Sequence, residues 1–292
     1  MVKVKVAAIQ MASGPNVSGN LSEAERLISD AVKQGAELVV LPENFAHMGM
    51  SETDILTIAE DYIGDPSYQE GQEKGQIQEF LTSVAKNEGV WIVGGTIPLK
   101  TGVDGVELEN KVFSACLLIN DQGEIVARYD KIHLFDVDLG EKYGTYNESA
   151  FTEAGEKVVV VDTPFGKLGL AICYDLRFPE LFRDMVSQGM EVLAIVSSFT
   201  ATTGKAHWEV LNRARAIENL CFVISAAQGG YHVNGRETFG DSMIIDPWGG
   251  IIDRLPSGSG FAISDIKPGN LQKIRKNFPV MEHIKLPCSL KI

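Results

Sequence analysis

The sequence predicts an α/β domain of two similar halves, with sheets packed face to face and helices outside. Three observations carry that prediction. Apolar runs such as Glu37-Leu-Val-Val-Leu41, Val90–Gly95, Leu168–Ile172 and Val192–Ser197 read as strands buried on both faces. Segments with apolar residues at helical spacing lie between them. The alternation of strand and helix, closed by an antiparallel end, then begins again near Val158 with no low-complexity linker.

The elements follow in order. Val2–Ile9 alternates as a strand. Leu21, Ala24, Ile28 and Ala31 recur on one helical face, and Gly35 stands just past that helix's end. Glu37–Leu41 is a buried strand closed by Pro42 and Glu43. A polar loop follows, with an acidic, Gln-rich insert at Asp65–Gln76. A helix near Ile77–Asn87 leads into the strand Val90–Gly95. Val112–Ile119 and Glu124–Tyr129, joined by Asn120-Asp-Gln-Gly123, read as a hairpin. In the second half, Val158–Val161 and the strand ending at Cys173 flank the turn Pro164-Phe-Gly166. Pro179 opens a helix over 179–188. Val192–Ser197, a helix over about 205–219, and strands at Cys221–Ala226, Ser242–Ile245, Gly250–Asp253 and Gly260–Ile266 complete the pattern. One domain over 1–266 is expected. The tail 267–292 is too poor in apolar residues to fold alone and is expected to pack on the domain or on a partner subunit.

Composition narrows the function. The 292 residues carry a net charge of -13 with no run of like charges, which argues against nucleic acid or an anionic membrane as partner. No apolar run is long enough to span a bilayer and no signal peptide is evident. The four cysteines lack C-x-x-C spacing, and the five histidines form no i, i+4 pair, so neither a disulfide framework nor a zinc site is expected. Cys116 and Cys221 lie in apolar strand patterns and read as core. Free thiols and a reducing cytoplasm follow.

Chemistry concentrates at strand ends. Cys173 ends an apolar run and precedes a tight polar connection, where turn and helix N–H groups favour a thiolate and an oxyanion. A buried strand-end cysteine would look the same in isolation. Glu43 leaves a buried strand into a cleft, where desolvation would raise its pKa toward that of a general base. Lys131 ends the hairpin's second strand, and Glu148 stands in a Gly-rich loop. Glu43, Lys131 and Cys173 all fall at C-terminal strand ends, the edge at which open α/β sheets bind ligands. Together they make a complete set of nucleophile, base and cation.

Leu-Pro-Glu43, Lys131-x-His-Leu-Phe-Asp and Cys173-Tyr-Asp-x-Arg-Phe-Pro-Glu, in that order, resemble the three signatures of the nitrilase superfamily of carbon–nitrogen hydrolases. The resemblance runs from AAIQM at residues 7–11 to Phe278–His283. It implies a four-layer αββα sandwich, a dimer of stacked sandwiches, a Cys–Glu–Lys triad with Glu148 as a second glutamate, and no metal or organic cofactor. Cys173-Tyr-Asp-Leu-Arg177-Phe-Pro-Glu and Phe199-Thr-x-x-Thr-Gly-x-x-His-Trp-Glu209 look most like the Nit branch, which contains ω-amidases and deaminated-glutathione amidases. The Asp65–Gln76 insert and the Gly140–Asn147 loop depart from the pattern expected of it and leave the substrate open.

The expected reaction is hydrolysis of a small carboxylate-bearing amide to acid and ammonia through a Cys173 acyl-enzyme. Glu43 is the base, Lys131 and the Tyr174 backbone N–H hold the oxyanion, and Glu148 positions water or the Glu43–Lys131 pair. Arg177 either pairs with Glu180 or another nearby acid, or clamps a substrate carboxylate. Tyr174, Phe199 and Thr200 are expected to line the pocket, with core packing an equal alternative for Phe199. His133 is expected to support the site, and His207 and Trp208 to pack. Deaminated glutathione is favoured over 2-oxoglutaramate. A nitrilase, an N-carbamoyl hydrolase, and a non-catalytic binding member of the fold are the alternatives.

Overall fold

A computed structural model describes residues 3–64, 75–102, 105–140 and 144–286. The insert Asp65–Gln76 lies outside the described residues except at its end. So do 141–143 of the Gly140–Asn147 loop, Cys288, and the tail beyond 286.

The first half runs β1 (Val4–Met11), α1 (Val17–Lys33), β2 (Leu38–Val40), α2 (Gln76–Glu88), β3 (Trp91–Val93), β4 (Ile97–Leu99), β5 (Val112–Ile119) and β6 (Ile125–Asp130). A short pair, β7 (Asp136–Asp138) and β8 (Thr145–Asn147), and then β9 (Thr152–Glu153) lead to the second half. That half runs β10 (Val160–Thr163), β11 (Gly166–Ile172), α3 (Pro179–Ser187), β12 (Val192–Ser197), α4 (Ala201–Asn219), β13 (Phe222–Tyr231), β14 (Glu237–Phe239), β15 (Ser242–Ile245), β16 (Ile251–Leu255), β17 (Gly260–Ile266) and α5 (Leu271–Asn277).

Among the described residues the main strands join one 15-stranded sheet whose principal path is β10-β11-β12-β13-β1-β2-β3-β5-β4. The sheet folds over itself, so that β2 packs on β12 and β5 on β11. Strand alternation shows why. Val4, Val6 and Ala8 of β1 enter an apolar cluster with Leu168, Leu170, Ile172 and Val196. Ala7, Ile9 and Met11, on the other face, enter a cluster with Leu27 and Ile28 of α1 and Leu81 of α2. One face of the first half is thus covered by helices and the other by the second half of the sheet. Residues Phe182 and Met185 of α3 and Trp208 and Ala216 of α4 join the first cluster. This is the expected αββα sandwich. Each fully buried Leu or Ile in it contributes roughly 1.5–3 kcal/mol of apolar transfer free energy.

Local chemistry explains the boundaries. Asn16 caps α1 by accepting the Gly19 N–H at 3.0 Å, and Gly35 takes φ +91° just past its end. Several elements differ from expectation: β7, β8, β9, β14 and α5 were not expected, and β4, α4 and β13 differ as follows. β4 was not among the expected strands; it contains Pro98 and lies at the sheet edge, where proline costs no ladder bond. α4 begins at Ala201, earlier than about 205, because Thr200 serves as its N-cap. β13 continues through Gly229 and Gly230 to Tyr231, beyond the expected Ala226.

The segment after β17 lies on the domain. Leu271 is buried, and Arg275 donates to the backbone carbonyls of Met190 at 2.6 Å and Leu220 at 3.2 Å. Phe278 packs against Trp248 with ring centroids 5.4 Å apart.

Candidate active site

Strand register brings the site together. β11 and β12 are parallel with Ile172 opposite Val196, so both strands end at one level, Cys173 on one and Ser197-Ser198 on the other. β6 pairs with β5 with Asp130 opposite Ala115, and Lys131 comes one residue later, its N–H on the Ser114 carbonyl at 3.0 Å. β2 ends at Val40, three residues before Glu43.

Glu43 sits on a bend that its neighbours hold rigid. Asn44 takes φ +57°, and its N–H donates to Thr96 Oγ1 at 2.8 Å. The Glu43 carbonyl accepts from Gln228 Nε2 at 3.1 Å. Gly95, at φ +57°, leaves room for this bend: a Cβ there would stand 2.3 Å from the Pro42 carbonyl oxygen.

The Lys131 ammonium, 2% exposed, donates to Glu43 Oε1 at 2.9 Å and to Glu148 Oε1 and Oε2 at 2.8 and 2.9 Å. Glu148 also accepts the Phe135 N–H at 2.7 Å. Burial pulls the Lys131 pKa down, but Glu148 and Glu43 overcome it and hold the group well above its ordinary value, so it stays charged. Burial pushes Glu148 up, with Lys131 opposing and Glu43 adding to the rise.

Cys173 adopts φ +48°, a left-handed conformation that costs a non-glycine residue roughly 1–3 kcal/mol and marks a fold-imposed turn. Burial pushes its thiol up to about 12, with Glu43 adding and Lys131 opposing. Its sulfur also interacts with the Glu43 carboxylate and the Ser198 backbone N–H. This corrects the expectation of a thiolate favoured by the helix start. α3 begins only at Pro179, and a 3₁₀ turn, Cys173–Arg177, intervenes.

That turn is anchored by Asp175, which is fully buried and was missed in the sequence. Its carboxylate accepts from Tyr129 Oη at 2.7 Å, the Ile172 N–H at 2.9 Å and the His133 N–H at 3.1 Å, and lies 2.7 Å from His133 Nδ1. One side chain therefore fastens the hairpin end carrying Lys131 to the turn carrying Cys173. His133 stacks on Phe178 at 3.7 Å and acts as the expected support. An acid two residues past Cys173, in the connection that follows an apolar strand, was the available signal.

All eight residues named from the sequence (Glu43, Lys131, Glu148, Cys173, Tyr174, Arg177, Phe199 and Thr200) line one cavity of about 670 Å³. Arg177 does not pair with Glu180. Its guanidinium bonds the exposed His207 at Nδ1, 3.2 Å away, and lies 5.1 Å from the Phe199 ring centroid and 5.7 Å from that of Tyr174. His207 is therefore not a packing residue, whereas Trp208 is, fully buried with Nε1–H on the Asp241 carbonyl at 2.8 Å. Phe199 both lines the cavity and packs on Trp208 at 5.1 Å. Thr200 Oγ1 accepts the Thr203 N–H at 3.3 Å, capping α4. Ser198 and Arg236 also line the cavity and were not singled out, because nothing in their local sequence distinguishes them. Among the described residues no cluster of His, Cys, Asp and Glu suited to a metal ion occurs.

Known proteins share this architecture. The chain is 45% identical to a deaminated glutathione amidase of Synechocystis over 279 residues, 95% of this chain and 96% of that one. It superposes on the C. elegans NitFhit protein with a TM-score of 0.82 at 33% identity, covering 97% of this chain but only 65% of that longer one. It superposes equally well, at TM-score 0.82 and 28% identity, on Saccharomyces cerevisiae Nit3, a member of branch 10 of the nitrilase superfamily, with 96% of each chain covered. The carbon-nitrogen hydrolase family model matches residues 5–276, a span that holds every residue of the cavity, and the chain belongs to that family.

Proposed function

We propose that this protein hydrolyses a carboxylate-bearing amide through an acyl-enzyme on Cys173, with deaminated glutathione as substrate. The observation that carries the reading is the Lys131 ammonium, buried between Glu43 and Glu148 beside the Cys173 thiol at one end of a cavity that also presents Arg177. The Synechocystis relative, named for that substrate, supports the choice.

The protonated Cys173 sulfur gives its proton to Glu43 as the S–C bond forms, so no free thiolate is needed. The carbonyl oxygen becomes an anion held by Lys131, which gives up one of its bonds to Glu148, and by the Tyr174 N–H. One such donor is worth about 3–4 kcal/mol in the transition state. Glu43 returns the proton to the amide nitrogen, the C–N bond breaks, and the amine leaves. Water then gives a proton to Glu43 and attacks the thioester. The C–S bond breaks and the sulfur regains its proton. Glu148 keeps Lys131 charged and in register. A primary amide would release ammonia, as the sequence reading expected. Deaminated glutathione, whose amide nitrogen belongs to a dipeptide, releases cysteinylglycine instead. Arg177 binds the acyl-side carboxylate in two-point contact and aims the carbonyl at Cys173.

The test is kcat/KM for deaminated glutathione, 2-oxoglutaramate and a neutral amide of matched size, in wild type and Arg177→Met, with a Cys173 acyl adduct sought by mass spectrometry. The acids should exceed the neutral amide by at least tenfold in wild type and lose that lead in Arg177→Met. Equal rates would overturn the carboxylate reading, and full activity in Cys173→Ala would overturn the mechanism. We also infer a homodimer, supported by the exposed apolar side chains Val210, Ile217, Trp248 and Phe278. A reducing, cytoplasmic setting is inferred from the buried, unpaired Cys116, Cys173 and Cys221. Among the described residues no helix is long and apolar enough to cross a membrane.

A further inference from the structure

Arg236 brings a second guanidinium to the cavity, from a different element than Arg177. It stands in the connection between β13 and β14, at the cavity wall. Its surroundings use little of its donor capacity. Nη2 donates to the Ser198 carbonyl at 2.9 Å, and the guanidinium carbon lies 5.7 Å from the Tyr146 ring centroid. Nε is buried and has no hydrogen-bond partner among the described residues. A buried donor left unpaired costs about 1–3 kcal/mol, and a guanidinium at a cavity wall with only one hydrogen bond to the described residues keeps donors for a carboxylate.

The connection that carries it is held firmly. His232 is buried, with Nδ1 2.8 Å from the Ser13 carbonyl and Nε2 2.7 Å from Thr238 Oγ1. Nδ1 donates to that carbonyl, Nε2 meets the Thr238 hydroxyl, and burial lowers the ring's pKa, which favours the neutral form. Asn234 Nδ2 donates to the Gly49 carbonyl at 2.6 Å, and Asn234 Oδ1 accepts the Arg236 N–H at 2.9 Å. Arg236 is therefore preorganised, which reduces the entropy lost on binding. Glu52 and Glu237 also line the cavity, but both are exposed to solvent, which screens them.

We propose that Arg236 binds a carboxylate on the leaving-amine side of the substrate, so that the pocket selects amides whose released amine is itself an amino acid or short peptide with a free C-terminus. The inference rests on the amide-hydrolase reading above and deepens it. Arg177 reads the acyl half, Cys173 attacks between the halves, and Arg236 reads the half that departs. The Ser198 backbone links Arg236 to the nucleophile, because the Ser198 carbonyl accepts from Arg236 while its N–H meets the Cys173 sulfur.

The experiment compares deaminated glutathione with the same compound capped as its C-terminal carboxamide. In wild type the free acid should have at least a tenfold higher kcat/KM, with the difference in KM. Arg236→Met should bring that ratio close to one, and Arg236→Lys should keep part of it. Arg177→Met should slow both substrates and leave the ratio standing. Because the readout is a ratio, a general loss of rate through Ser198 does not mimic the effect. A wild-type ratio near one, or a ratio untouched by Arg236→Met, overturns the proposal while leaving the amidase reading intact. Hydrolysis of neither compound by wild type overturns both. The wild-type ratio decides even if a variant fails to fold.

Discussion

At Cys173 the backbone turns left-handed and burial lifts the thiol to about 12, which is why the proposed mechanism assigns Glu43 as its base. Glu43→Gln keeps shape and removes the proposed base, and Lys131→Met keeps length and removes the charge. Each should lower kcat by about 10²–10⁴, the range of one general acid–base group. The double variant should be little worse than either, since groups acting as a unit are not additive. Multiplicative losses in steady-state kinetics would show that they act separately. Cys221 offers a pH test away from the site. Burial raises it from 9.0 to about 12. A raised folded pKa stabilises the fold fully below the unfolded value and loses that contribution as pH climbs through the folded one. Urea unfolding should therefore show stability falling between pH 9 and 12, and Cys221→Ala should flatten that fall while costing stability at pH 7 through the lost packing.

Between elements, Asp175 is the fastening. It bonds the end of β6 through Tyr129, the start of the loop after Lys131 through His133, and the end of β11 through Ile172. Tyr129→Phe should cost about 1–2 kcal/mol by leaving a buried carboxylate oxygen with one donor fewer. Asp175→Ala should cost more, about 3–5 kcal/mol, the range for breaking a buried charged network. It should also lower kcat further than KM changes, because it loosens Lys131 relative to Cys173. Denaturant midpoints and kinetics on the same preparations check both. A fully stable Asp175→Ala with normal kcat would show that the two segments are held by other contacts.

At the scale of the whole molecule, one apolar surface stays open. Val210 and Ile217 of α4 lie with Trp248 and Phe278 on the outside, at 68%, 45%, 59% and 46% exposure. Ile217→Asp combined with Trp248→Asp should convert the inferred dimer to a monomer by light scattering, with the far-ultraviolet circular dichroism unchanged. An unaltered mass would place the interface elsewhere.

Much of this was written in local sequence. Apolar runs and period-3.6 patterns marked the long central strands and helices α1 to α4, because burial on one or two faces is a local demand on side-chain order, while the short strands β4, β7, β8, β9 and β14 carry too few residues for a pattern. Cys173, Glu43, Lys131 and Glu148 were legible because each follows an apolar run or falls in a recognisable signature. What the tertiary structure alone decided was charge state, partnership and convergence. The thiol is pushed up because burial and a carboxylate from another strand end act on it, and no local pattern encodes either. Arg177 faces His207 instead of Glu180, because the start of α4 lies against the 3₁₀ turn. Asp175 meets Tyr129 and His133, and Arg236 meets Ser198, all tens of residues away along the chain. Spacing along the chain determines which face a residue takes. Which partners meet it there depends on how the sheet folds over itself, and that is a property of the packed whole.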